Sequence, residues 1–385
     1  MLHTKFKQNG FTLVELMVAI ALGVVLTAAI IQSYLGTKQT FRLNDGIARV
    51  QENARFSFFF LSKDVRNAGH PSCLSRIRNR LNGDADDFVS FRSSVVGWNA
   101  TDTEGGDSFS LTGATAGTWS GVTAALPSYL ADEVIEGSDV LSFKTFQDLN
   151  VSLASGGSTA VEELTTTTAH GIDQGSILVA GNCWEADLFQ NTSSNANELA
   201  GLDSGSELPG NRALNSLPKW QDNYGPEHNV YGLLRTIYYI GEGASGLPSL
   251  FRFESFAGTI PTITSANSQE LVEGVESMQI LYGEDTDDDL YPNRYVSASE
   301  VVEFDNIVSI RVGLLLRSTN NATDINQTDS FTLLDNITIT PSGDDKFLRY
   351  AVNTTIQLRN LGLNQDISNY VCDATSDSDD TPECT

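Results

Sequence analysis

Residues 10–31 read GFTLVELMVAIALGVVLTAAII, and this stretch decides the fold. No residue from Leu16 to Ile31 is charged, and extending the run back to Phe11 adds one carboxylate, Glu15. A membrane-spanning helix needs about 20 mainly apolar residues. Lys5 and Lys7 precede the run without any acid, which predicts a cytoplasmic N-terminus and an exported remainder. An ordinary secretory signal ends at small residues after its apolar segment. Here the pattern flows into more helix. Leu43, Ile47, Val50, Ala54, Phe58, Leu61 and Val65 recur at steps of four and three, the single apolar stripe of an amphipathic helix. No proline interrupts it before Gly69 and Pro71 supply a stop. A continuous helix from Phe11 to about Asn67 would be roughly 85 Å long at 1.5 Å per residue. One half should lodge in lipid or a partner bundle, and the other should lie under a soluble domain.

Glu15 is the anomaly in the apolar run. An ionised carboxylate in hydrocarbon costs roughly 2.5 kcal/mol or more, so it should be paired or functional. A Glu tolerated near the interface is the plain alternative. The order Gly10-Phe11-Thr12-Leu13-Val14-Glu15, then the apolar run, resembles the class III signal of type IV prepilins and pseudopilins. The resemblance implies that a membrane aspartyl prepilin peptidase cuts between Gly10 and Phe11 and methylates the amine of Phe11. It also implies that Glu15 pairs with the α-ammonium of a neighbouring subunit inside the filament. Two opposite charges buried together offset part of each other's desolvation. Many major pilins have a proline partway along this helix; here the position is Gln32, which predicts a straighter rod.

The 385 residues suffice for one large domain or two ordinary ones. Lys and Arg number 23 against 49 Asp and Glu, a net charge of −26 that repels phosphate backbones and disfavours nucleic acid as a partner. Four His and four Cys are too few for a metal- or thiol-rich enzyme. After Pro71 the sequence turns to strands and turns. Strands are expected at 88–96, 140–146, 176–180, 230–240, 249–256, 275–282, 307–317, 331–340 and 347–358. The Gly/Thr/Ser-rich 101–123 and the stretch 191–210 read as long surface loops.

The C-terminal half carries a narrower resemblance. LVEGVESMQILYGEDTDDD (271–289), FDNIVSIRVGLLLRS (304–318) and KFLRYAVNTTIQLRN (346–360) look like the PilW family of minor pilins. ARFSFFFLSKDVRNAGHPSC (54–73) and RTIYYIGEGASGLPSLFRFE (235–254) fit the same family. That family resembles the J-type minor pseudopilin of type II secretion. The resemblance implies an α+β, type IV pilin-like fold: a long N-terminal helix as spine, packed on an antiparallel sheet in an enlarged C-terminal domain. Its implied partners are prepilin peptidase, other minor pilins, the major pilin and a PilY-type tip adhesin, in a complex that primes assembly and sits at the tip. The implied course is single-pass insertion in the inner membrane with a periplasmic domain, then the pilus. The expected divisions are a leader (1–10), a membrane or filament-core half-helix (11–31), an amphipathic half-helix (32–68) and a β-rich domain (69–385).

Export makes disulfides the default for Cys73, Cys183, Cys372 and Cys384; of three pairings, Cys73–Cys183 and Cys372–Cys384 are favoured. Asp285, Asp287 and Asp289 echo the opening of a calcium loop, but Leu290 stands where its Gly belongs and Val296 where its Glu belongs. A solvated acidic turn is the favoured reading and calcium the alternative. Gly241 to Gly246 matches G-x-G-x-x-G, yet the residues after it read as another strand, so a hairpin is expected. The histidines form no visible site, and neither H-E-x-x-H nor G-x-S-x-G occurs, so no enzymatic activity is expected. The rivals to a pilus subunit are a type II secretion minor pseudopilin and a membrane-anchored calcium-dependent adhesin.

Overall fold

The computed structural model describes residues 12–70, 74, 77–82, 94–115, 117–121, 126–202, 210–213, 217, 219–258, 262–323, 326–334, 336–341 and 345–360. Gly10, Phe11, Cys73, Cys372, Cys384 and 88–93 of the first expected strand lie outside them.

Helix α1 (Leu13–Asn67) runs 55 residues without a break, about 82 Å. It ends as the sequence requires: Ala68 is the C-cap and Gly69 follows at φ +69°, a left-handed conformation that favours glycine. Strands follow in chain order: β1 (Ile77–Asn79), β2 (Val95–Ala100), β3 (Ser108–Ser110) and β4 (Trp119–Ser120). A one-turn helix, α2 (Ser128–Ala131), precedes β5 (Val140–Ser155), β6 (Leu164–Thr166), β7 (Ile177–Gly181), β8 (Ala186–Gln190) and β9 (Glu198–Leu199). Then come β10 (Asn229–Glu242), β11 (Pro248–Phe256), β12 (Ser268–Glu273), β13 (Val275–Glu284) and β14 (Arg294–Val296). The last are β15 (Ile307–Arg317), β16 (Phe331–Leu333), β17 (Ile337–Thr340) and β18 (Arg349–Gln357).

These form three sheets. One is 11-stranded, with β1-β8-β7-β10-β5-β2-β4 as its main path; the others are β14-β13-β15-β18 and β16-β17-β3. Pairing is antiparallel except for β1 with β8 and β17 with β3. The fold is therefore α+β, a long helical spine on a large sheet-rich domain. Gly241–Gly246 closes the β10–β11 hairpin, with Gly246 at φ +76°.

Three expectations are corrected. The stretch 331–340 is two strands rather than one, because Leu334 takes φ +50° and turns the chain back on itself. The supposed loops 101–123 and 191–210 hold β3, β4 and β9. Strands of two or three residues are too short to show a period. The buried helix face keeps most of the expected stripe but is widened by the small residues Gly46 and Ser57 and loses Ile47. Gly46, Val50, Ala54, Ser57, Leu61 and Val65 are buried, while Ile47 is exposed. Small residues let the sheet domain come close: a Cβ on Gly46 would lie 2.7 Å from the Cβ of Ala322. Val50, Leu61 and Val65 enter the main core beside Met278, Ile310, Val312 and Leu314. Polar ties fix the contact. Tyr238 donates to Asp64 at 2.7 Å, Arg252 reaches the same carboxylate at 3.3 Å, and Asn53 donates to the Glu273 carbonyl at 2.8 Å.

Candidate functional site

The first half of α1 leaves its apolar surface unclothed. Its most apolar 18-residue window has 0% of its residues buried, with Leu13 73%, Leu22 65% and Val25 68% exposed. By length and composition it is suited to cross a membrane. A surface of this size must be covered by lipid or by other helices, because water would disfavour it strongly.

Glu15 sits at the start of this rod, in a capping box. Its backbone N–H donates to Thr12 Oγ1 at 3.3 Å, and its Oε2 accepts from the Thr12 N–H and hydroxyl, each at 3.0 Å. The pattern Thr12-x-x-Glu15 before an apolar run is the sequence signature of this cap. The sequence reading expected a partner for Glu15 in a neighbouring subunit and passed over this local signature. The carboxylate is thus satisfied within its own helix while the leader is attached. The cap reaches through the backbone N–H of Thr12, the residue after Phe11, so the expected cleavage would place a charged amine one residue from it.

Asp285, Asp287 and Asp289 do converge, with one carboxylate oxygen from each within 4.8 Å of the others. The loop satisfies them itself. Asp285 accepts from the N–H groups of Leu290 and Asp287, Asp287 from the Asn293 amide, and Asp289 from the Tyr291 N–H. Partial burial pushes the Asp285 carboxyl up, but these backbone donors outweigh it and hold the group below the usual aspartate range. This is the bonding of an acidic turn. Calcium at this loop is a proposal whose test is titration calorimetry with millimolar calcium; absence of heat removes it.

Cys183 is disulfide-bonded, and its partner lies outside the described residues. His228 is buried at 1% exposure, where it accepts from the Gly225 N–H at 3.1 Å and meets Asp222 at 3.2 Å. It serves a loop rather than a reaction site. One cluster escaped sequence reading. Arg349, with a 2% exposed side chain, donates to Glu276 at 2.6 and 2.9 Å and to Asp345 at 2.7 and 2.6 Å; Arg317 adds a bond to Glu276 at 3.1 Å. It ties β13, β15 and β18 together, and Glu276, Arg317 and Arg349 are too far apart in sequence to signal one another.

Residues 5–31 match the prokaryotic N-terminal methylation motif, and residues 237–360 match the Type IV Pilus-assembly protein W family, PilW. The chain carries a PilW region behind a prepilin methylation motif. The PilW match takes in the second half of β10 and all of β11 to β18, so it contains the four-stranded sheet on which α1 lies. A type IV-like pilin from Thermus thermophilus is similar in structure, at 9% identity over 81% of this chain and 97% of that chain, with a TM-score of 0.35. No curated protein matches the chain. A PilW-type chain has a pilin role, and its prepilin signal makes the apolar half of α1 a membrane anchor and implies dealings with prepilin peptidase and other pilus components.

Proposed function

We propose that this PilW-type chain is a minor pilin processed between Gly10 and Phe11 and built into the complex that primes and caps a type IV pilus. The observation that carries the reading is the bare apolar half of α1, headed by one acid directly behind a methylation motif. Such a surface has two stable environments, the inner membrane before extraction and a bundle of like helices after it. Glu15 gives the second environment a direction. Once the leader is cut, the Phe11 amine of a neighbour offers a charge partner that no lipid tail offers. The chain acts by assembly and carries out no chemistry. Its partners are prepilin peptidase, other minor pilins, the major pilin and a PilY-type adhesin, and its domain lies in the periplasm before export to the tip.

Two variants test this. Glu15→Ala removes cap and charge, whereas Glu15→Gln retains a side-chain amide oxygen for the cap and loses only the charge. Both should leave leader cleavage intact, measured by mass spectrometry of the N-terminus, and both should abolish co-purification with other minor pilins. Normal piliation in Glu15→Gln would sink the charge-pairing role.

A further inference from the structure

The half of α1 that rests on the β-domain has a second face. Positions 38, 42, 45, 49, 52, 56, 59 and 63 alternate steps of four and three, the spacing of a seam that meets another element, and every side chain on them is exposed. Four are cations: Lys38, Arg42, Arg49 and Lys63. Among the described residues only Arg49 of these has an acid partner, Asp45 at 3.0 Å, and both side chains are more than half exposed. Phe56 and Phe59 lie on the same side, 41% and 60% exposed, between Glu52 and Lys63. Two exposed phenylalanines on a face that also bears four cations make a surface suited to a partner.

Charge is segregated along the chain. Leu13–Asn67 has six cations and four acids, while the whole sequence has 23 and 49. The excess of negative charge therefore resides almost wholly in the β-domain.

We infer that this outward seam is a docking surface for the acidic β-domain of a neighbouring pilin-type subunit. The inference rests on the pilin reading, since a rod bundled by its apolar half presents its other half to adjacent subunits. Cations on the rod and acids on the domain steer one subunit's domain onto the next subunit's rod. Phe56 and Phe59 supply the desolvated centre that exposed ion pairs lack. An anionic bilayer fits the seam less well. From Lys38 to Lys63 the seam rises about 38 Å at 1.5 Å per residue, whereas surface potentials fade over about 8 Å at physiological salt. Only Lys38 and Arg42 reach that layer, and Asp45, Glu52 and the acidic domain would be repelled by it.

The test uses the full-length chain in neutral detergent, with a second copy as the probe because its β-domain has the required charge. Sedimentation should detect self-association that weakens about tenfold as salt rises from ~50 to ~500 mM. The triple variant Arg42→Glu, Arg49→Glu, Lys63→Glu should not associate at low salt, with unchanged helix content by circular dichroism. Phe59→Ser should weaken association at both salt levels. Absence of association at low salt, or association that is insensitive to salt and to the triple variant, overturns the proposal. So does its loss in mixed micelles containing phosphatidylglycerol, which would assign the seam to lipid. A gene deletion that leaves pili intact would defeat the pilin role without changing any of these readings, so the two failures are distinguishable.

Discussion

Asp139 shows how one side chain joins two sheets. Its carboxylate is 2% exposed, accepts from the Ala100 N–H at 2.9 Å and the Ile280 N–H at 2.8 Å, and so bridges β2 and β13. Burial pushes this carboxyl up to about 7, against the pull of those two N–H groups and the Thr103 hydroxyl. Among the described residues no cation acts on it; the buried Tyr282 phenol is the titratable group beside it. The folded state therefore holds a proton that the unfolded chain releases near pH 4. Its stabilisation is complete below that pH and is lost as pH rises through about 7, on the order of 4 kcal/mol. The expected outcome is a melting temperature that falls between pH 5 and 7.5 and a flatter slope in Asp139→Asn. Equal slopes would show that this carboxyl does not govern the change. Glu15 belongs to the same scale: on the proposed reading, leader cleavage would give its carboxylate a new partner beyond the Thr12 cap.

The contact between helix and sheet depends on small residues. Gly46 and Ser57 are buried where larger side chains would hold α1 away from the sheet domain. Replacing Gly46 with Leu should gain about 1 kcal/mol in helix propensity. It must also displace Ala322, and overpacking of this kind costs about 1–3 kcal/mol, so the net effect should be destabilising. Chemical unfolding of the full-length variant followed by circular dichroism measures it, and a more stable Gly46→Leu would contradict the close approach. The same geometry explains why Gly46 joins the buried stripe and Ile47 leaves it. A sequence stripe marks which side chains are apolar, but burial follows the shape of the surface they meet. Ile47 sits one step off that surface and Gly46 directly on it.

For the whole molecule, the β-domain is held by cross-links of several kinds, one of them covalent. β1 and β8 run parallel with Ile77 opposite Ala186, so the chain segments leading into them approach from the same end. Leu74 packs in one cluster with Val179 and Ala186, on either side of Cys183. Both facts support Cys73–Cys183 and, for the remaining pair, a Cys372–Cys384 loop worth about 3 kcal/mol by closure entropy. Peptide mapping without reductant should recover these two pairs; a Cys183 peptide linked to Cys372 or Cys384 would disprove them. The long helix, its bare half, its stop at Gly69 and the longer strands were legible in the sequence, because each rests on residues near one another along the chain. The acid at the head of the rod was legible too, though its cap with Thr12 was overlooked. Only the folded chain decided which face of α1 is covered, that Asp139 spans two sheets, that Glu276 and Arg349 pair, and that cations and phenylalanines remain on the outward side. Those depend on groups brought together from distant parts of the sequence, and a local pattern carries no record of distance in space.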